Sequence, residues 1–380
     1  MRIYADENIP LAEQFFGDFG TLTRLPGRTM TAADIKDADV LLVRSVTQVD
    51  RALLDGTGVK FVGTATIGTD HIDQAYLQEQ GIGFVSAPGC NAQAVVDYVL
   101  SALSVMVDAR GINFRQLSVG IVGVGNVGGL LRQRLEQMGL SVKAVDPFKD
   151  ESDVGELTSL TDVLSCDVVT MHTPLEREGD YPTHHLISTD ELEAMAPDAC
   201  LINASRGGVV DNAALKAHLM ANPDFVAVMD VWENEPELDR ELMALCTLAT
   251  PHIAGYSLDG KMRGTEQVYQ GACEFFGLPV RLKLGQFLPE PGIKRVDFGS
   301  EAPVHQALRT AIRACYEIRV DDGVMRSAVN RSQNLRATFD ELRKGYPLRR
   351  DTTNLRVGVP ARAHDLQDAL EAAGFDVRSR

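Results

Sequence analysis

The run SVGIVGVGNVGG, Ser118 to Gly129, constrains the fold of this chain more than any other stretch. Val119, Ile121 and Val122 read as a buried strand, and Gly123, Gly125 and Gly128 then form a G-x-G-x-x-G turn that opens a helix. Gly123 makes the tight turn and Gly125 lets the backbone approach a pyrophosphate. Gly128 lets helix and strand pack closely, and the helix N-terminus at Asn126 and Val127 stabilises negative charge. The next apolar run, SVKAVD, ends at Asp146. An acid there accepts both hydroxyls of an adenosine ribose and repels a 2′-phosphate. The glycine pattern alone is only a glycine-rich turn. With strand, helix, second strand and acid in register it predicts a dinucleotide-binding unit, with NAD rather than NADP as cofactor.

Short apolar strands alternate with helical stretches on both sides of this loop. MRIYAD, DVLLVRS, FVGTAT and IGFVSAP predict a small parallel βα domain ahead of it. A helix from about Ala92 to Arg110 follows, with Val96, Leu100, Leu103 and Val107 on one apolar face, and reads as a connector. VGIVGV, VKAVD, DVVTMH, CLINAS, FVAVMD and CTLAT predict a doubly wound sheet buried on both faces. KMRGTEQVYQGACEFF is helical and returns to the first lobe, and FLPEP reads as a linker. SEAPVHQALRTAIRACYEI predicts a helix, and the end of the chain reads strand–helix–strand. The expected fold class is α/β, with two Rossmann-like doubly wound parallel-sheet lobes and a third small α+β C-terminal domain. The expected boundaries are 1–91 with 255–285, then 92–254, then 286–380.

At 380 residues the chain is long enough for two or three domains of roughly 100–200 residues each. A formal net charge of −16 argues against a nucleic-acid partner or an anionic membrane surface, so an anionic ligand needs a local cluster of arginines. MRIYADENIP lacks a basic region followed by an apolar core, so no signal peptide is expected. AVVDYVLSALSVMVDAR carries Asp97 and falls short of the ~20 apolar residues of a membrane span. The six cysteines are scattered without a C-x-x-C pair and read as reduced thiols of a cytoplasmic protein. The eight histidines show no ligand spacing, so no metal is expected.

Ligands of open α/β sheets sit beyond the carboxyl ends of the strands. CLINAS leads into Arg206, FVAVMD ends at Asp230 and runs on to Glu235, CTLATP leads into His252, and DVVTMH leads into Thr173. A guanidinium can hold a carboxylate through paired hydrogen bonds. A histidine can exchange a hydroxyl proton while hydride leaves for a nicotinamide, with a carboxylate fixing its tautomer. Singly, Glu235 reads as a solvated loop acid and His252 as a structural histidine. Their joint placement beside a dinucleotide fold makes them a catalytic set.

GVGNVG with Asp146, HTPL at His172, NASRGGVVD at Asn203, DVWENEP at Asp230 and PHIAG at Pro251 resemble, as an ordered set, the D-isomer-specific 2-hydroxyacid dehydrogenase family. The resemblance implies that Arg206 binds the substrate carboxylate, His252 is the acid/base and Glu235 supports it. It further implies that Asp146, Thr173, Asp230, Gly255 and the loop from Gly123 to Gly128 hold NAD. ADENIP, LLVRSVT, FVGTATIGTDHID and SAPGCNAQAVVDYV, with the extra C-terminal domain, resemble one branch of that family. This implies a phosphorylated 2-hydroxy acid as substrate, contacts from Ser45, Thr66 and Tyr256, and a homodimer formed through the C-terminal domain. Arg44, which ends its strand, is the first candidate for the phosphate. The run RKGYPLRR, with Arg343, Lys344, Arg349 and Arg350, is a second and reads more readily as surface ion pairs. A phosphoglycerate- or glycerate-type dehydrogenase and a non-catalytic NAD-sensing protein are the alternatives.

Overall fold

In the computed structural model, which describes residues 1–380, two compact units emerge. Met1–Asn91 and Ser257–Glu290 form the first. Its strands β1 (Arg2–Asp6), β2 (Thr21–Leu25), β3 (Val40–Val43), β4 (Phe61–Thr64) and β5 (Gly83–Val85) lie in the order β2-β1-β3-β4-β5, all parallel. Every residue of β3 and β4 is buried, as a central strand covered on both faces requires. One face packs on the helix Leu258–Phe275, where Val268, Tyr269 and Ala272 join Ile3, Val40 and Phe61 in one core. The other face buries Leu41, Val43 and Val62 against Ile35 and Leu77. Strand β2 escaped the sequence reading. At the sheet edge TLTRL stays half-buried or exposed, so it carries no continuous apolar run.

The second unit comprises Ala92–Tyr256 and Pro291–Arg380. Its main sheet holds β6 (Ser118–Val122), β7 (Ser141–Val145), β8 (Val168–Met171), β9 (Cys200–Asn203), β10 (Val226–Met229) and β11 (Leu248–Ala249). Their order, β11-β10-β9-β8-β6-β7, matches all six expected strands, and all pairs are parallel. The order reverses between β6 and β8, which places the glycine loop and Thr173 at the switch point, where such sheets bind ligands.

The helix Ala92–Arg110 is buried nearly all round rather than along one face. Val99 and Leu103 share a core with Val119 and Ile121 of β6 and also with Ala311 and Ile312 of the helix Val304–Cys315. It is long and apolar enough to cross a membrane by length and composition, yet 83% of its apolar window is buried inside the protein.

The C-terminal segment adds a parallel sheet, β12 (Arg295–Asp297), β13 (Arg356–Val359) and β14 (Asp376–Ser379), in the order β12-β13-β14. The helix His364–Ala372 links β13 to β14, as the strand–helix–strand pattern predicts. β12 was not legible, because its three residues are exposed or half-buried. Instead of enclosing a separate core, the segment packs on the nucleotide fold. Val357, Leu366 and Leu370 join the cluster of Leu131 and Leu135. The helix Ile318–Arg331 closes the β11 edge: Asp322 accepts the Ala249 N–H at 2.7 Å, and Arg326 donates to the Met243 and Cys246 carbonyls. An exposed edge strand is thereby capped.

Candidate active site

The helix Asn126–Gln137 begins at the glycine loop, and its first turn presents unpaired backbone N–H groups. A Cβ on Gly128 would stand 1.9 Å from the Gly123 carbonyl oxygen, so only glycine permits this helix to approach the strand. Around Gly125 no atom would meet a Cβ within 4 Å, which leaves the space a pyrophosphate needs. Asp146 accepts the Val124 N–H at 2.8 Å and the Phe148 N–H at 3.0 Å, fixing its carboxylate at the end of β7. The hydroxyl oxygen of Thr173 is buried without a partner beside the same loop. An open glycine, a positioned acid and an orphaned hydroxyl at one switch point fit a dinucleotide.

The PHIAG turn is built by Asp230. Its Oδ1 accepts the Thr250 hydroxyl at 2.7 Å and the Ile253 N–H at 2.8 Å, and its Oδ2 accepts the Ala254 N–H at 2.9 Å. Asp230 is 1% exposed, so these bonds replace lost water and hold the PHIAG turn rigidly. His252 sits in that turn at φ +58°, a left-handed conformation costly for a non-glycine residue and common at functional sites. Its Nδ1 lies 2.5 Å from Glu235 Oε1, while Glu235 Oε2 accepts the Trp232 N–H at 3.2 Å. Burial alone would raise the Glu235 carboxyl, but the hydrogen bond and charge of His252 outweigh it and hold it below the usual range. Glu235 therefore stays ionised at neutral pH and orients the ring through Nδ1.

Arg206 follows β9 in extended backbone, with Nη1 donating to the Ser205 carbonyl at 2.9 Å. The Asn203 side chain braces this loop, accepting from Ser205 N–H and donating to the Arg206 carbonyl. Gly207 is obligatory, because a Cβ there would lie 2.0 Å from the Trp232 carbonyl oxygen. That close approach ties the loop carrying Arg206 to the segment carrying Glu235. Gly255 and Tyr256 complete the turn, with the Tyr256 N–H on the Ile253 carbonyl at 2.8 Å.

In the first unit Ser45 is exposed just after β3. Thr66, just after β4, donates to the Gly68 carbonyl at 3.1 Å and shares a 2.8 Å contact with the Thr64 hydroxyl. The Arg44 guanidinium is engaged by the fully buried Asp6 carboxylate at 3.0 Å. Within the basic run near the C-terminus, Arg349 departs from the surface ion pairing that composition favours. Arg349 is 5% exposed, donates to the Ala94 and Ala254 carbonyls and stacks 3.8 Å from the centre of the Tyr316 ring. Beside it Asp97 accepts the Thr352 N–H and hydroxyl and the Gln93 amide.

Two further histidines went unremarked in sequence. His184, His185 and Glu233 gather within 4.8 Å, with His185 Nε2 2.7 Å from Glu233 Oε1. The two imidazole rings stack 3.9 Å apart and 19° from parallel. Neutral His172, whose protonation is pushed down to about 4 by burial, rests on Thr170 and is structural.

A dinucleotide loop at a switch point, beside an Arg206, Glu235 and His252 set, defines a nicotinamide-dependent dehydrogenase. Residues 102–254 match the D-isomer-specific 2-hydroxyacid dehydrogenase NAD-binding domain, and residues 287–374 match a domain of unknown function. The chain is 53% identical to erythronate-4-phosphate dehydrogenase of Marinobacter nauticus and 49% identical to that of Hahella chejuensis, covering 100% of both chains in each comparison. It belongs to the erythronate-4-phosphate dehydrogenase family. Its fold matches the D-lactate dehydrogenase of Aquifex aeolicus complexed with NAD and lactic acid at a TM-score of 0.60 and 22% identity. That match covers 73% of this chain and 96% of the other.

Proposed function

We infer that this chain oxidises 4-phospho-D-erythronate with NAD, giving (R)-3-hydroxy-2-oxo-4-phosphooxybutanoate, a step of pyridoxal 5′-phosphate biosynthesis. The observation that carries the reading is the 2.5 Å His252–Glu235 pair at the end of an NAD-binding sheet, in a chain about half identical to these dehydrogenases along its whole length.

NAD would be held by the Gly123–Gly128 loop, Asp146, Thr173 and Gly255, and when bound would supply the acceptor for the C2 hydride. Arg206 anchors the substrate carboxylate and fixes which face of C2 is presented. His252 Nε2 takes the C2 hydroxyl proton as the carbon–oxygen bond becomes a carbonyl, and Glu235 stabilises the imidazolium formed. Asp230 keeps the turn in place through its own hydrogen bonds. Ser45, Thr66 and Tyr256 are further substrate contacts, and Arg44, at the end of β3, is paired with Asp6.

The chain forms a homodimer through its C-terminal segment. Val320 and Val324, one helical turn apart on Ile318–Arg331, are 61% and 52% exposed, and such an apolar stripe favours a second copy. Its place is the cytoplasm, in keeping with buried thiols such as Cys200 and Cys246, each pushed up to about 12 by burial.

The test is NADH formation, followed in the near ultraviolet, from NAD and 4-phosphoerythronate. Efficient turnover of 3-phosphoglycerate with none of 4-phosphoerythronate would reassign the substrate. Size-exclusion chromatography with light scattering reads the dimer.

A further inference from the structure

The substrate inferred above carries a phosphate as well as a carboxylate, and Arg206 accounts only for the carboxylate. In the second unit two other guanidiniums reach the PHIAG turn and its following Tyr256, those of Arg349 and Arg343. Arg343, in the last turn of the helix Leu335–Lys344, lies with its Cζ 5.5 Å from the centre of the Tyr256 ring. Tyr256 in turn packs edge-on against Tyr346, centroids 5.9 Å apart, and the Tyr346 hydroxyl is tied to Asp321 at 2.7 Å. Arg349, three residues beyond Tyr346, fastens this segment to the Ala254 carbonyl of the same turn at 3.1 Å. Arg343 is thus delivered to the PHIAG turn by a buried scaffold rather than by a free surface loop.

The charge on Arg343 is poorly matched within the protein. Its Nε is buried with no hydrogen-bond partner, an expensive state unless a ligand completes it. Arg44, by contrast, already has the buried Asp6 carboxylate. The positive charge of Arg343 also helps to keep the Glu235 carboxylate ionised.

We propose that Arg343 recognises the phosphate of the substrate, so that the C-terminal segment, matched only to a domain of unknown function, is a specificity element of the active site. A phosphomonoester dianion supplies the acceptor that Nε lacks, and the planar guanidinium can grip two of its oxygens at once. Tyr256 would support the guanidinium from one face. The proposal rests on the phosphorylated substrate inferred above.

The experiment compares Arg343→Gln, Arg343→Lys and the exposed control Lys344→Gln with the unaltered enzyme. It measures kcat and KM for 4-phosphoerythronate and competitive inhibition by inorganic phosphate. Arg343→Gln should raise KM on the order of ten- to a hundredfold and weaken phosphate inhibition by a similar factor, with kcat much less affected. Arg343→Lys should fall between, and Lys344→Gln should match the parent. If Arg343→Gln lowers kcat while leaving KM and phosphate inhibition intact, Arg343 only positions Tyr256 and the proposal is overturned. Parent-like behaviour of Arg343→Gln would overturn it equally. Failure of the unaltered enzyme to oxidise 4-phosphoerythronate would instead refute the substrate reading itself.

Discussion

Glu235 Oε1 and His252 Nδ1 stand 2.5 Å apart, although 17 residues separate them and both belong to loops that follow sheet strands. His252 is held at a strained φ of +58° by the bracket that Asp230 makes around the turn, so the ring is aimed before any substrate arrives. His252→Ala should lower kcat by roughly 10²–10⁴-fold, the range for loss of a general acid/base. NADH affinity, read by fluorescence titration, should stay within about twofold, since an intact cofactor site leaves ground-state binding alone.

Acid should dissolve this pair. The Glu235 carboxyl lies below its ordinary range in the folded protein, so it binds fewer protons folded than unfolded over the intervening pH. Its contribution to stability is therefore complete above the unfolded value of about 4.3 and disappears as pH falls through the lowered folded value. Denaturant melts from pH 7 to pH 3 should show the advantage of the parent over Glu235→Gln shrinking only at the acid end. An advantage that persists unchanged to pH 3 would contradict the assignment.

Arg206 is an extended-backbone residue set between Ser205 and Gly207, with the turn geometry locked by Asn203. Arg206→Gln should reduce kcat/KM on the order of ten- to a hundredfold through loss of a charged hydrogen-bond pair. Arg206→Lys should recover little of it, because an ammonium cannot grip a carboxylate with two parallel bonds. Recovery close to parent activity in the lysine variant would mean that charge alone is used.

Asp146 is fixed by the backbone N–H groups of Val124 and Phe148, with its charge at the end of β7. Asp146→Ala should weaken NAD and relieve repulsion of a 2′-phosphate, narrowing the preference for NAD over NADP on the order of tenfold or more. Steady-state KM values for the two cofactors provide the measurement.

Arg349 is buried and serves the Ala94 and Ala254 carbonyls together. Arg349→Met keeps much of the bulk but strands those carbonyls and leaves Asp97 and its neighbours without a nearby cation, at a cost of about 3–5 kcal/mol. Thermal melting should drop accordingly, and kcat should fall with it because Ala254 belongs to the catalytic turn. A variant as stable as the parent would show that the C-terminal segment is not fastened there.

Much of this was legible along the chain because the signals are local. The central strands are continuous apolar runs, buried on both faces, and the glycine loop must be spelled out residue by residue where backbone meets ligand. The strand ends then put Arg206, Glu235 and His252 in view. Strands β2 and β12 were missed because edge strands need no such runs. The part that Asp230 plays in shaping the turn was hidden as well, since an acid at a strand end reads alike whether it serves the turn or a ligand.

The sequence by itself determined the two parallel sheets and the cofactor loop, because each is written in a short contiguous pattern. Only the tertiary structure decided where the C-terminal arginines go. Arg349 meets Ala94 across 255 positions, and Arg343 reaches Tyr256 only because that segment packs on the nucleotide fold. No periodicity records such a pairing. It is set by which carbonyls and rings the packed core brings against a guanidinium.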